Sequence, residues 1–152
     1  MTFRILPAGF TPEVLGALCH KVSRVQPFAK YPFGLMVAAL SDQLRHRTNL
    51  VVHDDRRIVA YVGWIHARSE VAEAWMRGEG PLAPDWKTGD ATVMTVLVAD
   101  KREYIAQMIR AAAPLNEGRP VYRKRSFADG RPERKSRPIT SRRRATQDPS
   151  EP

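Results

Sequence analysis

The sequence predicts an α+β domain in which a mostly antiparallel sheet is flanked by helices. Segments with helical spacing of apolar residues alternate with segments rich in β-branched residues. Two of the β-rich segments are joined by a short polar turn, and a third is apolar almost throughout. The resulting order is helix, helix, hairpin, short helix, strand, helix, strand, which is typical of an α+β domain.

Two helices open the chain. Thr11 before Pro12 has the form of a helix start, because a threonine hydroxyl caps free backbone amides and proline fits the first helical position. This helix is expected to end near Arg24, since two prolines and a glycine follow over 24–34. Its predicted buried residues are Val14, Leu15, Leu18, Cys19 and Val22. A second helix over about 34–46 is expected to bury Leu35, Met36, Ala39, Leu40 and Leu44.

The middle of the chain predicts strands. Residues 49–67 read as two strands joined by the polar turn at 54–57, and their β-branched and aromatic content favours a hairpin. Residues 70–77 suit a short helix, which the Gly/Pro-rich segment 78–84 ends. Residues 91–100 are apolar almost throughout, so this strand is expected at the centre of the sheet with both faces covered.

The last predicted elements are one helix and one strand. Residues 101–113 form an amphipathic pattern that Pro114 ends. Residues 119–127 alternate like a strand, and their charges suit an edge position. Beyond Gly130 there is little apolar surface to bury, so the chain is expected to divide into a folded domain over 1–130 and a basic disordered tail over 131–152.

The net charge of the chain lies mainly near its C-terminus. Residues 118–152 hold 11 basic and 4 acidic residues, which is +7 of the formal +9. Such a tail attracts any polyanion without sequence specificity, and no nucleic-acid-binding motif accompanies it. Nucleic-acid binding is therefore not the expected function, although a steep salt dependence would support a protein that acts on nucleic acid through its tail.

Few residues carry recognisable chemistry by themselves. Cys19 is the single cysteine, so neither a disulfide framework nor a cysteine metal site is expected, and a cytoplasmic location fits best. No stretch approaches the ~20 apolar residues that cross a bilayer. The sequence lacks the glycine-rich nucleotide loops, the zinc motif HExxH and the hydrolase motif GxSxG. The four histidines are scattered along the chain, and each is expected to be solvated or structural. They are His20, His46, His53 and His66.

Four short motifs nevertheless occur together. They are VLG at 14–16, YP at 31–32, VAYVGW at 59–64 and LAPDWKTGD at 82–90. In this order and at these intervals, the chain resembles the toxin-activating lysine acyltransferases, which modify RTX protoxins. The resemblance covers about residues 9–127, and 1–130 would then be an acyltransferase-like domain.

The resemblance implies a GNAT-like acyltransferase fold and an activity. A protein of this family takes a fatty acyl group from acyl carrier protein and transfers it to the ε-amine of internal lysines of a protein acceptor, without a bound cofactor. The residues expected at the substrate cleft are Trp64, Trp86, Gly89 and Asp90. An Asp after Gly in a turn is as readily explained by turn chemistry as by catalysis.

The chain departs from the family at the catalytic positions. The family histidine, three residues before the aromatic-proline step, falls on Phe28, and the family aspartate falls on Val96. Neither side chain can transfer a proton, so the catalytic residues are unassigned, with His20 and Asp90 as fallback candidates. Two alternatives stay open: an acyltransferase with a rearranged site or a different acceptor, and a catalytically degenerate module that binds the carrier protein or the acceptor.

Basic residues beside the last predicted strand are candidates for contacting the acidic carrier protein. They are Arg119, Arg123, Lys124 and Arg125. A charged edge strand that keeps the protein soluble would explain the same residues. The sequence leaves open whether the protein forms a homodimer.

Overall fold

The computed structural model describes residues 3–125, 134–135 and 138–141. The elements in chain order are β1 (Phe3–Leu6), α1 (Pro12–Val22), α2 (Phe33–Arg45), β2 (Asn49–Asp54), β3 (Arg57–Ala67), α3 (Ser69–Met76), β4 (Ala91–Ala99), α4 (Arg102–Ala112), β5 (Pro120–Arg125), β6 (Arg134–Lys135) and β7 (Ile139–Thr140). Short 3-10 turns lie over Phe28–Lys30 and Pro114–Asn116.

One mixed sheet organises the domain. Its strands run in the order β1-β2-β3-β4-β5, and both β6 and β7 pair with β5. Only the β4–β5 pair is parallel, whereas the other neighbours are antiparallel. The predicted α+β class with a mostly antiparallel sheet is confirmed, and β4 is central as predicted.

Helices cover both faces of the sheet. Along β3, Tyr61 packs with α1 and α2, and Ile65 and Ala67 pack with α3. The alternate residues Val62 and Trp64 instead pack with α4. Because successive strand residues point to opposite faces, α1, α2 and α3 share one face and α4 covers the other.

Local signals explain most element boundaries. The Thr11 hydroxyl accepts a hydrogen bond from the Val14 amide at 3.1 Å, which caps α1 as predicted. Leu18 and Val22 are buried on this helix, while Cys19 is partly buried. On α2 the predicted burial of Leu35 is wrong, because its side chain is 66% exposed. Met36 and Leu40 fill that part of the core instead.

The ends of the chain differ most from the predictions. Strand β1 was not predicted, because its four residues leave only Ile5 partly buried and so carry little pattern. β5 is not an edge strand, since it has partners in β4, β6 and β7. The two strands β6 and β7 fall within 131–152, which the sequence predicts to be a disordered tail, and that division into domain and tail stays a prediction. Both strands satisfy backbone groups that β5 would otherwise leave open. The rest of 131–152 lies outside the described residues.

None of the described helices is long and apolar enough to cross a membrane.

Candidate functional site

Strands β4 and β5 part in the middle of β4. Their parallel pairing covers Thr92↔Val121, Val93↔Tyr122 and Met94↔Arg123. Beyond Met94, no described residue pairs with β4 on its β5 side. The backbone amides and carbonyls of this half of β4 are therefore available to a ligand that enters between the two strands.

A β-bulge marks the point where the strands part. On β3, Gly63 pairs with Val96 and the next residue, Trp64, pairs with Met94, so Thr95 has no partner on β3. Bulges re-aim side chains and occur often beside active sites. Here the bulge directs both Thr95 and Val96 toward the face covered by α1 and α2, as their contacts with α2 and its core show.

Thr95 belongs to a buried polar network. The Tyr61 hydroxyl donates to Gln43 Oε1 at 2.6 Å, and Gln43 Nε2 donates to Thr95 Oγ1 at 2.7 Å. Burial raises the pKa of Tyr61, so its hydroxyl keeps its proton and remains a donor. This donation fixes the orientation of the Gln43 amide, which must then present its NH₂ group to Thr95.

Gly63 makes room for this network. A Cβ at this position would overlap the Gln43 amide oxygen and would lie 2.7 Å from the Tyr61 hydroxyl. Gln43 and Tyr61 are both fully buried, so neither side chain can move aside into solvent. The glycine in the VAYVGW motif is thus required by packing against α2.

The network leaves one proton available where the strands part. Thr95 Oγ1 accepts from Gln43, and its own hydroxyl proton has no acceptor in the part of the chain that the structure describes. A hydroxyl held in this way can donate to an oxygen that gains negative charge, as in an oxyanion hole. Sequence reasoning missed Thr95, Gln43 and Tyr61, because only the bulge brings the threonine toward the glutamine.

The two positions where the resembled family carries its catalytic residues lie in one apolar cluster. Val96 is 3% exposed in a core with Leu18 and Leu40, and Phe28 packs against the same core from the turn before α2. The fold thus gathers both positions on one side of the sheet. Neither Phe28 nor Val96 carries an ionisable group, so what they contribute there is hydrophobic packing.

The fallback candidates have other environments. The Asp90 carboxylate accepts hydrogen bonds from the Ser69 amide at 2.8 Å and the Ser69 hydroxyl at 2.9 Å, at the first turn of α3. These bonds, that of the hydroxyl above all, lower the pKa of Asp90, which makes it a weak base. His20 is exposed on α1 and lines a groove whose lining does not include Thr95.

The structure separates the two tryptophans predicted to share a cleft. Trp64 is 2% exposed in the core beneath α4, away from the groove that Trp86 lines, and its place at a substrate cleft stays a prediction. Trp86 stacks on His46, with ring centroids 3.9 Å apart, and lines an open groove of about 710 Å³ between α2 and α3. The strand pattern around Trp64 therefore reflects its position in the core.

Gly89 and the loop before β4 hold Trp86 in position. The Asp85 amide donates to the His66 carbonyl at 2.8 Å, and the Asp85 carboxylate accepts from Lys87 and Thr88 amides. A Cβ on Gly89 would overlap the Asp85 carbonyl and lie 2.8 Å from the Ala67 amide. The DWKTGD segment is therefore a tight turn packed onto the C-terminal end of β3.

His66 lies behind Trp86, with ring centroids 5.9 Å apart. Burial lowers the pKa of His66, and electrostatic interactions with Arg119 and His46 lower it further. The imidazole is therefore neutral at pH 7. Its Nε2 atom is buried without a hydrogen-bond partner among the described residues.

Arg119, Arg123 and Lys124, the predicted carrier-protein contacts beside β5 whose side chains are described, are partly buried. Arg119 Nε donates to the Gly89 carbonyl at 3.4 Å, and Lys124 lies 4.0 Å over the Trp75 ring. Both cations thus have intramolecular partners. The side chain of Arg125 lies outside the described residues. Within the described ranges, no cluster of three or more His, Cys, Asp or Glu residues could hold a metal ion.

No protein-family model matches the chain, and no curated protein matches it by sequence. Solved structures do resemble it. The GphF GNAT-like decarboxylase in complex with isobutyryl-CoA has 19% identity and a TM-score of 0.59, over 84% of this chain and 68% of that one. The loading GNATL domain of CurA from Lyngbya majuscula has 10% identity and a TM-score of 0.59, over 87% and 70%.

A third structure extends the likeness to a transferase. The N-acetyltransferase from Staphylococcus aureus Mu50 has 11% identity and a TM-score of 0.51, over 83% of each chain. These identities are low, so the likeness shows the fold alone. The chain has a GNAT-like fold, as the sequence predicted.

Proposed function

We propose that this protein is an acyltransferase that moves an acyl group from a thioester donor to an amine. The observation that carries the proposal is the parting of β4 and β5 at the Thr95 bulge, within a GNAT-like fold. An extended thioester arm that lies between the strands would pair with the free backbone groups of β4. Its carbonyl would then lie beside Thr95.

The chemistry follows from that position. The protonated acceptor amine first loses a proton to solvent, and the lone pair of the neutral amine then attacks the thioester carbonyl carbon. A C–N bond forms and the carbonyl oxygen becomes an oxyanion, to which the Thr95 hydroxyl donates. The C–S bond then breaks, and the leaving thiolate takes up the second proton that the nitrogen sheds. Tyr61 and Gln43 position Thr95 and do not touch the substrate.

A more specific form of the proposal names the substrates. The donor is a fatty acyl group on acyl carrier protein, the acceptor is a lysine ε-amine of an RTX-type protoxin or another protein, and the setting is the cytoplasm. The four motifs shared with toxin-activating lysine acyltransferases support this form. Two of them, VAYVGW and LAPDWKTGD, hold glycines that this fold requires for close packing.

A second candidate function is a binding module without turnover. The apolar packing of Phe28 and Val96 favours it, because the positions where the resembled family carries its base and carboxylate hold none here. Such a module would keep the cleft for the thioester arm and would bind a carrier protein or an acceptor. It predicts binding with no acyl transfer.

Intact-mass spectrometry distinguishes these functions. The protein is incubated with acyl carrier protein that bears a long-chain acyl thioester, with and without a lysine-containing acceptor protein. The acyltransferase proposal predicts a mass gain on the acceptor that is absent when this protein is omitted. Binding of the charged carrier without any mass gain would contradict the acyltransferase and support the binding module.

A further inference from the structure

A second groove lies at the end of the molecule where β4 ends. It has a volume of about 630 Å³ and is bounded by one side of α1, the turn between β2 and β3, and residues Val98–Asp100. Its basic lining residues are His20, Lys21, Arg24, His53, Arg56 and Arg57. Its acidic lining residues are Glu13 and Asp100.

The groove has an excess of unpaired positive charge. Lys21 Nζ pairs with Asp100 at 2.6 Å, so these two charges cancel. Arg24, Arg56 and Arg57 form no ion pair within the described part of the chain. Asp54 and Asp55 belong to the same turn but do not line the groove. Three arginines from two different elements therefore face an open concave surface, which favours an acidic partner.

The groove also lies at the C-terminal end of β4, where β4 no longer pairs with β5. Val98 and Ala99 line it and belong to the half of β4 without a partner on β5. A protein seated on the groove would therefore stand at the open end of the cleft. An arm attached to that protein could extend from there along β4 toward Thr95.

The connection to α4 argues against a donor held by its phosphates alone. Phosphates bind helix N-termini where free amides face them, often with glycines that allow close approach. The segment from Ala99 to Tyr104 contains no glycine. The charged residues of this segment, Asp100, Lys101, Arg102 and Glu103, balance one another, so it offers a diphosphate no excess of positive charge. The groove, where Arg24, Arg56 and Arg57 form no ion pair among the described residues, offers an acidic donor more positive charge than this segment does.

We infer that this groove, lined by Arg24, Arg56 and Arg57, is the docking site for an acidic carrier protein that delivers the acyl thioester into the cleft. The inference rests on the proposed function and assigns its donor a surface on this chain. That surface differs from the basic residues around β5, where Arg119 and Lys124 already have intramolecular partners.

Charge reversal tests the inference. The groove variant carries Arg24→Glu, Arg56→Glu and Arg57→Glu. A matched control carries Arg4→Glu, Lys30→Glu and Arg110→Glu, three exposed residues outside the groove, so the net charge falls by the same amount. Binding of acylated carrier protein is measured at low and high salt. The groove variant should bind at least about tenfold more weakly at low salt, with a smaller salt dependence, while the control binds like wild type.

A second measurement avoids variants altogether. Hydrogen exchange of the wild-type protein should show protection of α1 and of the turn at 54–57 when acylated carrier protein is added. Equal binding by the groove and control variants, or protection confined to β5, would overturn the docking site while leaving the proposed function intact. Wild type that transfers from an acyl-CoA but does not bind carrier protein would also overturn it. Wild type that neither binds nor transfers from either donor would contradict the proposed function itself.

Discussion

Thr95 and Val96 are neighbours on β4, and the bulge directs both toward the same side of the sheet, yet their surroundings are opposite in character. Thr95 ends a hydrogen-bonded chain from Tyr61 through Gln43. Val96 lies in an apolar core against which Phe28 packs. The difference teaches that this chain has a polar network where β4 and β5 part, whereas apolar side chains occupy the resembled family's catalytic positions.

A charge at Val96 should have the largest effect. Val96→Asp would bury a carboxylate in an apolar core, where an uncompensated charge costs about 3 to 5 kcal/mol. Leu35→Asp, at a side chain that is 66% exposed, is the control and should change stability by about 0.5 kcal/mol or less. Chemical denaturation of both variants measures the difference. Equal, small effects would show that the core around Val96 is open to solvent.

A second substitution, at Phe28, tests whether the two positions interact. If Phe28 and Val96 are close enough to interact, Phe28→His combined with Val96→Asp should restore part of the lost stability. A double-mutant cycle should then give a favourable coupling of about 0.5 to 3 kcal/mol. Zero coupling would show that the two positions share a core without facing each other, and the resembled family's catalytic pair could not be rebuilt here.

Gly63→Ala tests the polar network. The added methyl group would overlap the buried Gln43 amide and break its bond to Tyr61, which costs about 2 to 4 kcal/mol by overpacking and lost hydrogen bonding. Gly16→Ala is the matched control, because nothing lies within 4 Å of a Cβ at that helical position. The control should be neutral or stabilise the protein by about 0.5 to 1 kcal/mol. Thermal or urea unfolding that ranks the two variants the other way would contradict the packing of the network.

Tyr61→Phe removes one hydroxyl from the network without changing its shape. Gln43 Oε1 would remain buried without a donor, at a cost of about 1 to 3 kcal/mol. Tyr31→Phe, at a side chain that is 53% exposed, should cost about 0.5 kcal/mol or less. Urea unfolding compares them. If both changes are silent, water replaces the tyrosine and the network does not hold Thr95.

The smallest effect concerns His66, outside the network. Its pKa is lower in the folded protein than its unfolded value of about 6.5, so the unfolded chain binds more protons in acid. This contribution to stability is complete above about pH 6.5 and is lost as the pH falls toward the folded pKa. Asp85 and Asp90, whose pKa is lowered, stay ionised through that window. The melting temperature should therefore fall on acidification less in His66→Gln than in wild type or in the exposed control His20→Gln.

Most of the fold could be predicted from the sequence because the spacing of apolar residues marks most of its helices and strands. The spacing of Leu18 and Val22, or the run of apolar residues in β4, marks an element whatever its neighbours are. It did not predict β1, β6 or β7. Those elements are stabilised by backbone pairing and bury few side chains, so they leave almost no pattern.

The candidate site was harder to predict for a physical reason. Trp64 and Trp86 stood out as rare residues, but rarity does not distinguish a core residue beneath α4 from a groove residue that stacks on His46. Thr95 has the opposite problem, because a threonine in an apolar strand looks ordinary. Its role depends on a one-residue bulge, which only the register between β3 and β4 reveals.

The most direct test of the account is the rate of acyl transfer from charged carrier protein to an acceptor lysine by wild type, Thr95→Val and Thr95→Ser, with melting temperatures measured in parallel. The account predicts that wild type transfers, that Thr95→Val is slower by about 10² to 10³ because an oxyanion donor is lost, and that Thr95→Ser keeps most of the rate. Transfer by Thr95→Val at the wild-type rate would contradict the role of Thr95, and a folded wild type that transfers nothing would contradict the acyltransferase.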